Sequence, residues 1–426
     1  MDAKLIVDEV RLTPILISDP PLLNTQGVHQ PYTPRLVVEV ITRGGVSGLG
    51  ETYGDGVYLD TARPLAEALP GRPVTDVNGL FALASETAGT ADAEVPELSG
   101  DTGVDASGLR GVRTAGKLRL SVVSAFETAC LDALGRTLGL PVHALLGGKV
   151  RDEVEYSAYL FHKWAGTDDW GAALDPAGIV AQARRFDREY GFRSFKLKGG
   201  VFEPAREIAA IRALADAFPG RPLRLDPNGA WSVETSLAVA RELKDVLEYL
   251  EDPASGTAAM AEIAARTDVP LATNMCVTTF EEVPEAFAAG AVRIVLCDHH
   301  YWGGLHRTRE LAALCRTYGV GLSMHSNTHL GISLAAMTQV AATLPGLHHA
   351  CDTHYPWQTE DVVTTRPVFR AGRLAVSDAP GLGVDLDREA LATLHRRWLD
   401  DDGTFRDRDD TAAMRTAHPD WTPTTW

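Results

Sequence analysis

From about Val154 onward the chain repeats one pattern: a short apolar run ends in a polar residue and is followed by an Ala- and Glu-rich stretch of helical spacing. The runs are EYSAYLF, SFKLKGG, LRLDPNG, LEYLEDP, PLATNM, RIVLCDHH, GLSMHSN and HHACDTH. Strand alternating with helix predicts a parallel sheet, and this many units predicts a closed (β/α) barrel rather than an open doubly wound sheet. Open sheets usually carry a GxGxxG turn after their first strand, and none sits there.

The spacing of the polar residues sharpens this expectation. Lys198 to Asp226 is 28 residues, Asp226 to Glu251 25, Glu251 to Asn274 23, Asn274 to Asp298 24, and Asp298 to His325 27. One polar residue falls in each strand-helix unit. Barrel active sites gather at the carboxyl ends of the strands, so these six residues are expected to converge on one mouth.

SFKLKGG, Ser194 to Gly200, alternates Phe195 and Leu197 with Lys196 and Lys198. In a strand both lysines share one face, a costly pairing unless something anionic meets them; a solvated edge strand is the plain alternative. Asp226, Glu251 and Asn274, on three consecutive strand ends, form an oxygen set suited to Mg²⁺ with room for water and substrate. Taken singly, they read as a turn former, a helix cap and a core amide.

Asp298 with His325 makes a second pair. A carboxylate bonded to one imidazole nitrogen fixes the tautomer and raises the basicity of the other, giving a general base. Lys198 on the second strand and His325 on the seventh face each other across the barrel, two bases with the metal between them. Such an arrangement suits proton abstraction α to a carboxylate, where a divalent ion and nearby cations stabilise the developing charge. Lys196 then holds substrate carboxylate charge and depresses the pKa of Lys198, which acts as a base.

These residues carry a resemblance. The chain resembles the enolase superfamily and within it the D-glucarate dehydratase family, through SFKLKGG, LDPNGAW, YLEDP, LATNM, DHHYWGG, MHSNTHLGISL and CDTHYPW in order. Asn274 in place of a third carboxylate marks the glucarate subgroup. Superfamily members pair a Lys or His base with Mg²⁺ to stabilise an ene-diolate.

The resemblance implies a modified TIM barrel, (β/α)7β, with an α+β capping domain built from the N-terminal segment and the C-terminal tail. Residues 1–150 are expected to form the cap, 151–375 the catalytic barrel, and 376–426 to pack on the cap. It implies Mg²⁺ on Asp226, Glu251 and Asn274, bases Lys198 and His325 with Asp298 in support, and stabilisation of the intermediate by Lys196 and Asn228. His29, Tyr159, Asn327 and His354 match substrate-contacting positions. The implied reaction removes the C5 proton of D-glucarate and the C4 hydroxyl, giving 5-dehydro-4-deoxy-D-glucarate, with His325 serving D-glucarate and Lys198 serving L-idarate.

Two positions depart from the family pattern. Before VVSAFE the chain reads KLRLS, with Leu118 and Arg119 where a threonine is usual, and the tail HPDWTPTTW has no basic residue after Arg415. Arg119 is the candidate substitute for contacting the distal carboxylate. Alternatives are a dehydratase or epimerase of another aldaric or aldonic acid, or a non-catalytic paralogue. A zinc barrel hydrolase is disfavoured despite His299, His300, His325 and His329, because the chain lacks the first-strand HxH. His299 and Trp302 are expected to pack structurally.

Composition bounds the partners. A formal net charge of -17 excludes nucleic acid and anionic membranes as natural partners, leaving a small diacid sugar in a locally positive pocket. No apolar run approaches the roughly 20 residues of a membrane span. The N-terminal MDAKLIVDEVRLTPILI reads as a strand of the mature protein rather than a leader, so a cytoplasmic protein is expected. A homo-oligomer is a separate expectation that the residues themselves do not fix. The five cysteines lack CxxC spacing and read as reduced packing residues. GLGETYGDG reads as a cap hairpin, Leu83 to Gly116 as a loop or irregular insertion, and VVSAFETACLDALGRTLGL as a helix ending at Gly139.

Overall fold

In a computed structural model, which describes residues 2–87 and 115–426, eight parallel strands form a nearly closed barrel. Five strands precede it: β1 (Val7–Ser18), β2 (Leu23–Asn24), β3 (Gly27–Val28), β4 (Tyr32–Thr42) and β5 (Ser47–Tyr53). The barrel is built from β6 (Glu153–Phe161), β7 (Ser194–Lys198), β8 (Leu223–Asp226), β9 (Leu247–Glu251), β10 (Leu271–Thr273), β11 (Ile294–Cys297), β12 (Gly321–Met324) and β13 (Cys351–Thr353). Their order is β12-β11-β10-β9-β8-β7-β6-β13. At the seam a parallel bridge joins Leu322 to Leu347, and the Ser323 hydroxyl donates to the Ala350 carbonyl at 2.8 Å. A last strand, β14 (Arg373–Ala375), pairs antiparallel with β6.

The barrel strands are buried on both faces, as a sheet wrapped in helices requires, so they read as apolar runs. The first crossover helix, Pro176–Tyr190, shows the local logic. Asp175 caps its N-terminus by accepting from Gly178 N–H, Pro176 occupies the first turn, and Gly191 closes it in the left-handed region. Strand period puts Phe195 and Leu197 outward, where Phe195 meets Phe218 at 4.8 Å. Lys196 and Lys198 therefore point into the barrel, beside Tyr159 and Phe161 of β6 and Arg224 and Asp226 of β8 in register.

The cap packs the antiparallel sheet β1-β4-β5 against α1 (Gly56–Ala68) and α3 (Ala115–Leu138), with α2 (Val77–Thr87) packed on those two helices. GLGETY is the second strand of a hairpin, as expected. Gly48 and Gly50 let α3 cross β5 closely: a Cβ at either position would overlap the carbonyl oxygen of Ala129 or Ala125. Helix α3 is already formed at Ala115, the first residue described after position 87, upstream of VVSAFE; Leu118 is buried in the core, and Leu118 and Arg119 are both helical. Most of the Leu83 to Gly116 segment, residues 88–114, lies outside the described residues.

C-terminal chain completes the cap. Helix Arg388–Asp400 lies on β1, where His395 Nδ1 bonds the Pro14 carbonyl at 2.7 Å, and helix Asp410–Ala417 lies against β3. Among the described residues the cysteines are unpaired, four of them buried and Cys276 half-buried. No described helix is long and apolar enough to cross a membrane.

Candidate active site

Lys196 sits at the centre of the barrel interior with no exposed surface. Its Nζ lies 2.5 Å from Glu251 Oε2, 2.8 Å from Asp352 Oδ2, 3.3 Å from Asp226 Oδ2 and 3.3 Å from the Tyr159 hydroxyl. Burial alone would push this ammonium towards neutrality, but Asp352, Glu251 and Asp226 outweigh it and hold its pKa well above the usual lysine value. Lys198, one layer nearer the mouth, donates to Asp226 Oδ2 at 2.6 Å and to Asn228 Oδ1 at 3.3 Å.

The strand ends beyond carry the oxygen donors. Asp226 accepts the Asn228 N–H at 3.0 Å, and Asn228 holds a left-handed φ of 50° to reach it. Burial would raise Asp226, yet Lys198 and Lys196 keep its pKa well below the carboxylate range. Glu251 is pushed the other way by burial and by Asp226. Its Oε2 touches Lys196 without hydrogen-bond direction, its Oε1 has no partner, and neither amide atom of Asn274 has one although the residue is 1% exposed.

Buried polar atoms left over in this way call for a ligand, and carboxylate with amide oxygen on three adjacent strands is a hard-cation donor set. These residues fit Mg²⁺. Asp252 braces them: Oδ2 accepts the Asn274 N–H at 2.8 Å, Oδ1 accepts the Thr273 hydroxyl at 2.5 Å, and φ is +37°. Burial pushes the Asp252 carboxyl up to about 7.

His325 follows β12, 2% exposed, with Nδ1 3.0 Å from Asp298 Oδ2 and its ring stacked on Tyr301 at 5.8 Å. Burial lowers its pKa, and Asp298 opposes that shift. Asp298 is held well below the carboxylate range against its own burial by His300, His325 and His329. Its Oδ1 accepts the His300 N–H at 2.9 Å and faces His300 Nδ1 at 2.8 Å, while the Tyr53 hydroxyl from the cap reaches Oδ2 at 3.4 Å.

Of the expected substrate contacts, His29 and His354 come together. Asp19 joins them, with Oδ2 2.9 Å from His29 Nδ1 and Oδ1 3.7 Å from His354 Nε2, and the two rings stack at 6.0 Å. Nε2 of His29 has no hydrogen-bond partner, and that of His354 has only this longer contact to Asp19. Tyr159 donates to Asp352 Oδ2 at 3.1 Å. Asn327 is buried, its Oδ1 accepting from Thr328 and its Nδ2 free of partners. Arg119 lies apart, lining a cavity of about 1000 Å³ whose walls include Asp252 and Met275 but neither Lys198 nor His325.

Several participants escaped the sequence reading. Asp352 carried a usable signal, since it falls 27 residues after His325 and continues the strand-end series by one more unit. Asp252, Asp19, Tyr53 and His300 carried none, being local turn, loop or hairpin residues whose role depends on what folds against them.

Two family models match: "Mandelate racemase / muconate lactonizing enzyme, N-terminal domain" over residues 9–147 and "Enolase C-terminal domain-like" over 178–390. A "Probable glucarate dehydratase" of Streptomyces coelicolor is 72% identical over 99% of this chain and 98% of its own length. The chain belongs to the enolase superfamily, in its D-glucarate dehydratase family.

Solved members of the superfamily superpose closely. An enolase from Thermobispora bispora, complexed with magnesium and formate, is 52% identical with a TM-score of 0.94, covering 99% of this chain and 100% of that one. An enolase from Pseudomonas fluorescens with bound magnesium, potassium and tartrate is 45% identical with a TM-score of 0.93, covering 99% and 98%. Membership of the glucarate dehydratase family makes this protein a hydro-lyase.

Proposed function

We propose that the protein dehydrates an aldarate, D-glucarate and its C5 epimer L-idarate, to 5-dehydro-4-deoxy-D-glucarate with Mg²⁺ as cofactor. One observation carries this reading: along the strand order, Asp226, Glu251 and Asn274 end the three strands that follow Lys198, and the Asp298–His325 pair ends the next two. A substrate carboxylate held over the donors thus meets one base from each side.

Asp226, Glu251 and Asn274 would hold the ion, with Asp252 orienting Asn274. Bound there, Mg²⁺ supplies positive charge against a carboxylate that becomes more anionic as its α proton leaves. His325, neutral and oriented by Asp298, takes the C5 proton of D-glucarate on Nε2, and its imidazolium returns that proton to the departing C4 hydroxyl as water. Lys198 takes the proton when C5 is inverted, as in L-idarate. Lys196 keeps the interior carboxylates neutralised, and Asn228 orients Lys198. His29, Asn327 and His354 supply polar contacts to the sugar hydroxyls, and Arg119 guards the outer cavity for the distal carboxylate. The enzyme is placed in the cytoplasm.

Proton NMR of the protein with Mg²⁺ in D₂O, given D-glucarate, L-idarate and galactarate separately, tests the reading. Loss of the first two substrates to a common product is expected. Turnover of galactarate alone would move the assignment to another aldarate, and silence on all three would overturn it.

A further inference from the structure

Behind His325 lies a cluster that proton abstraction uses only at one edge. Asp298, His299 and His300 are consecutive at the start of the one-turn helix His299–Trp302, and His329 comes from the loop after β12. One ligating atom from each of the four lies within 4.8 Å of all the others, and all four residues are buried. Their hydrogen bonding is incomplete: His299 Nδ1 and both ring nitrogens of His329 have no partner, at exposures of 2% and 0%. Orphaned polar atoms so deep in a protein are normally answered by water or an ion.

His300 can accept the ion. Its Nε2 faces the Glu51 carbonyl at 2.9 Å, an acceptor, and its Nδ1 faces the Asp298 carboxylate at 2.8 Å, also an acceptor. The Ser333 hydroxyl also lies 3.1 Å from Nε2, so with its one N–H on Nδ1 the ring donates to Asp298 and accepts from Ser333, and with that N–H on Nε2 it donates to the Glu51 carbonyl and leaves Nδ1 free for a metal ion. Anchoring of the far ring nitrogen by a backbone carbonyl is the usual support of a metal-bound histidine. Arg35 of β4 is already matched by Glu51 at 2.6 Å.

We propose that Asp298, His299, His300 and His329 form a closed transition-metal site behind the base, separate from the oxygen donors Asp226, Glu251 and Asn274. Three imidazoles and a carboxylate suit four-coordinate Zn²⁺ or Co²⁺, whereas Mg²⁺ selects oxygen. Bonds of about 2.0–2.1 Å in a tetrahedron set ligand atoms about 3.4 Å apart; His329 Nε2 is 3.7 Å from Asp298 Oδ2, and His300 Nδ1 and Asp298 Oδ1, 2.8 Å apart, have to separate to admit the ion. On entry the ion takes the place of the Nδ1 proton of His300, and the neutral ring's single N–H is then the one on Nε2 facing the Glu51 carbonyl. Because Asp298 also orients His325, an ion here inhibits the enzyme. The inhibition rests on the proposed role of His325; the binding does not.

The test is titration of the Mg²⁺-saturated protein with Co²⁺, followed by visible absorption. A single equivalent is expected to give the intense bands of four-coordinate Co²⁺, to be bleached by Zn²⁺, and to do so equally in Asp226→Asn, which damages the oxygen site. His329→Phe should abolish the bands and weaken Zn²⁺ binding by at least about tenfold; His299→Leu gives the same reading should His329→Phe fail to fold. Only the weak absorption of six-coordinate Co²⁺, or bands lost in Asp226→Asn and kept in His329→Phe, would overturn the site. Absorption needs no turnover, so a protein inactive on every aldarate would sink the proposed function and leave this result standing.

Discussion

The Asp352 carboxylate meets the Lys196 ammonium at 2.8 Å where neither residue has any exposed surface. Its other oxygen takes the Arg224 guanidinium at 3.1 Å. Lys196 is thus committed to the protein's own carboxylates on every side, and its charge reaches substrate through the balance it sets for Asp226 and Glu251.

Asp352→Asn tests that balance. Removing one member of a buried ionic cluster strands its partners and costs about 3–5 kcal/mol. Urea unfolding should register the loss; a variant within about 1 kcal/mol of the parent would mean that Glu251 and Asp226 suffice for Lys196 and that Glu248 suffices for Arg224.

His325→Asn should lower D-glucarate turnover by about 10²- to 10⁴-fold while L-idarate turnover persists, and Lys198→Met should do the reverse. Equal loss on both epimers in either variant would end the assignment of one base to each face.

The pH profile follows from His325. Burial holds its pKa below the ordinary 6.5 with Asp298 opposing, and the base is active when unprotonated. kcat/KM for D-glucarate is therefore expected to stay level down to pH 6.5 and to fall only below it. In Asp298→Asn the opposing anion is gone, so the acid limb moves lower still while the plateau drops; an acid limb moving upward would contradict this account.

Metal dependence has a readout in stability as well as rate. Mg²⁺ at about a hundred times its Kd should stabilise the fold by about 2.7 kcal/mol, and a chelator should reverse both the thermal shift and the activity. Asn274→Leu should remove the shift. A full Mg²⁺-induced shift in that variant would place the ion elsewhere.

At the other end of the barrel, Glu248 is held down to about 2, burial notwithstanding, by Arg224 at 2.7 Å and His349 at 2.9 Å. A depressed carboxylate contributes its stability fully above its unfolded value of 4.5 and loses it as pH falls towards 2. The contribution is about 3 kcal/mol, and Glu248→Gln should flatten the acid limb of the stability curve between those limits. An unchanged acid limb would show the pair to be neutral in stability.

Much of this site was legible because barrel geometry turns a linear interval into a place. The strand-end spacing alone predicts that Lys198, Asp226, Glu251, Asn274, Asp298 and His325 converge, and the same interval reaches Asp352. The inward direction of Lys196 was legible too, from strand alternation, but what it meets was not: it faces the protein's own Asp352 and Glu251 at ion-pair distance. Arg119 is the sequence's candidate for the distal carboxylate, and only the fold shows that it sits on helix α3 in the wall of the outer cavity.

By itself the sequence determined the period-two faces of the strands, the helix caps and the recurrence of polar strand ends, because each is decided among residues a few positions apart. Tertiary structure alone decided that Tyr53 of the cap reaches Asp298, that Asp19 bridges His29 to His354, and that His300 and His329 close around Asp298. Those groups lie far apart in the chain or in loops without a repeat, and the energy of a buried charge depends on which atoms stand within a few ångströms of it.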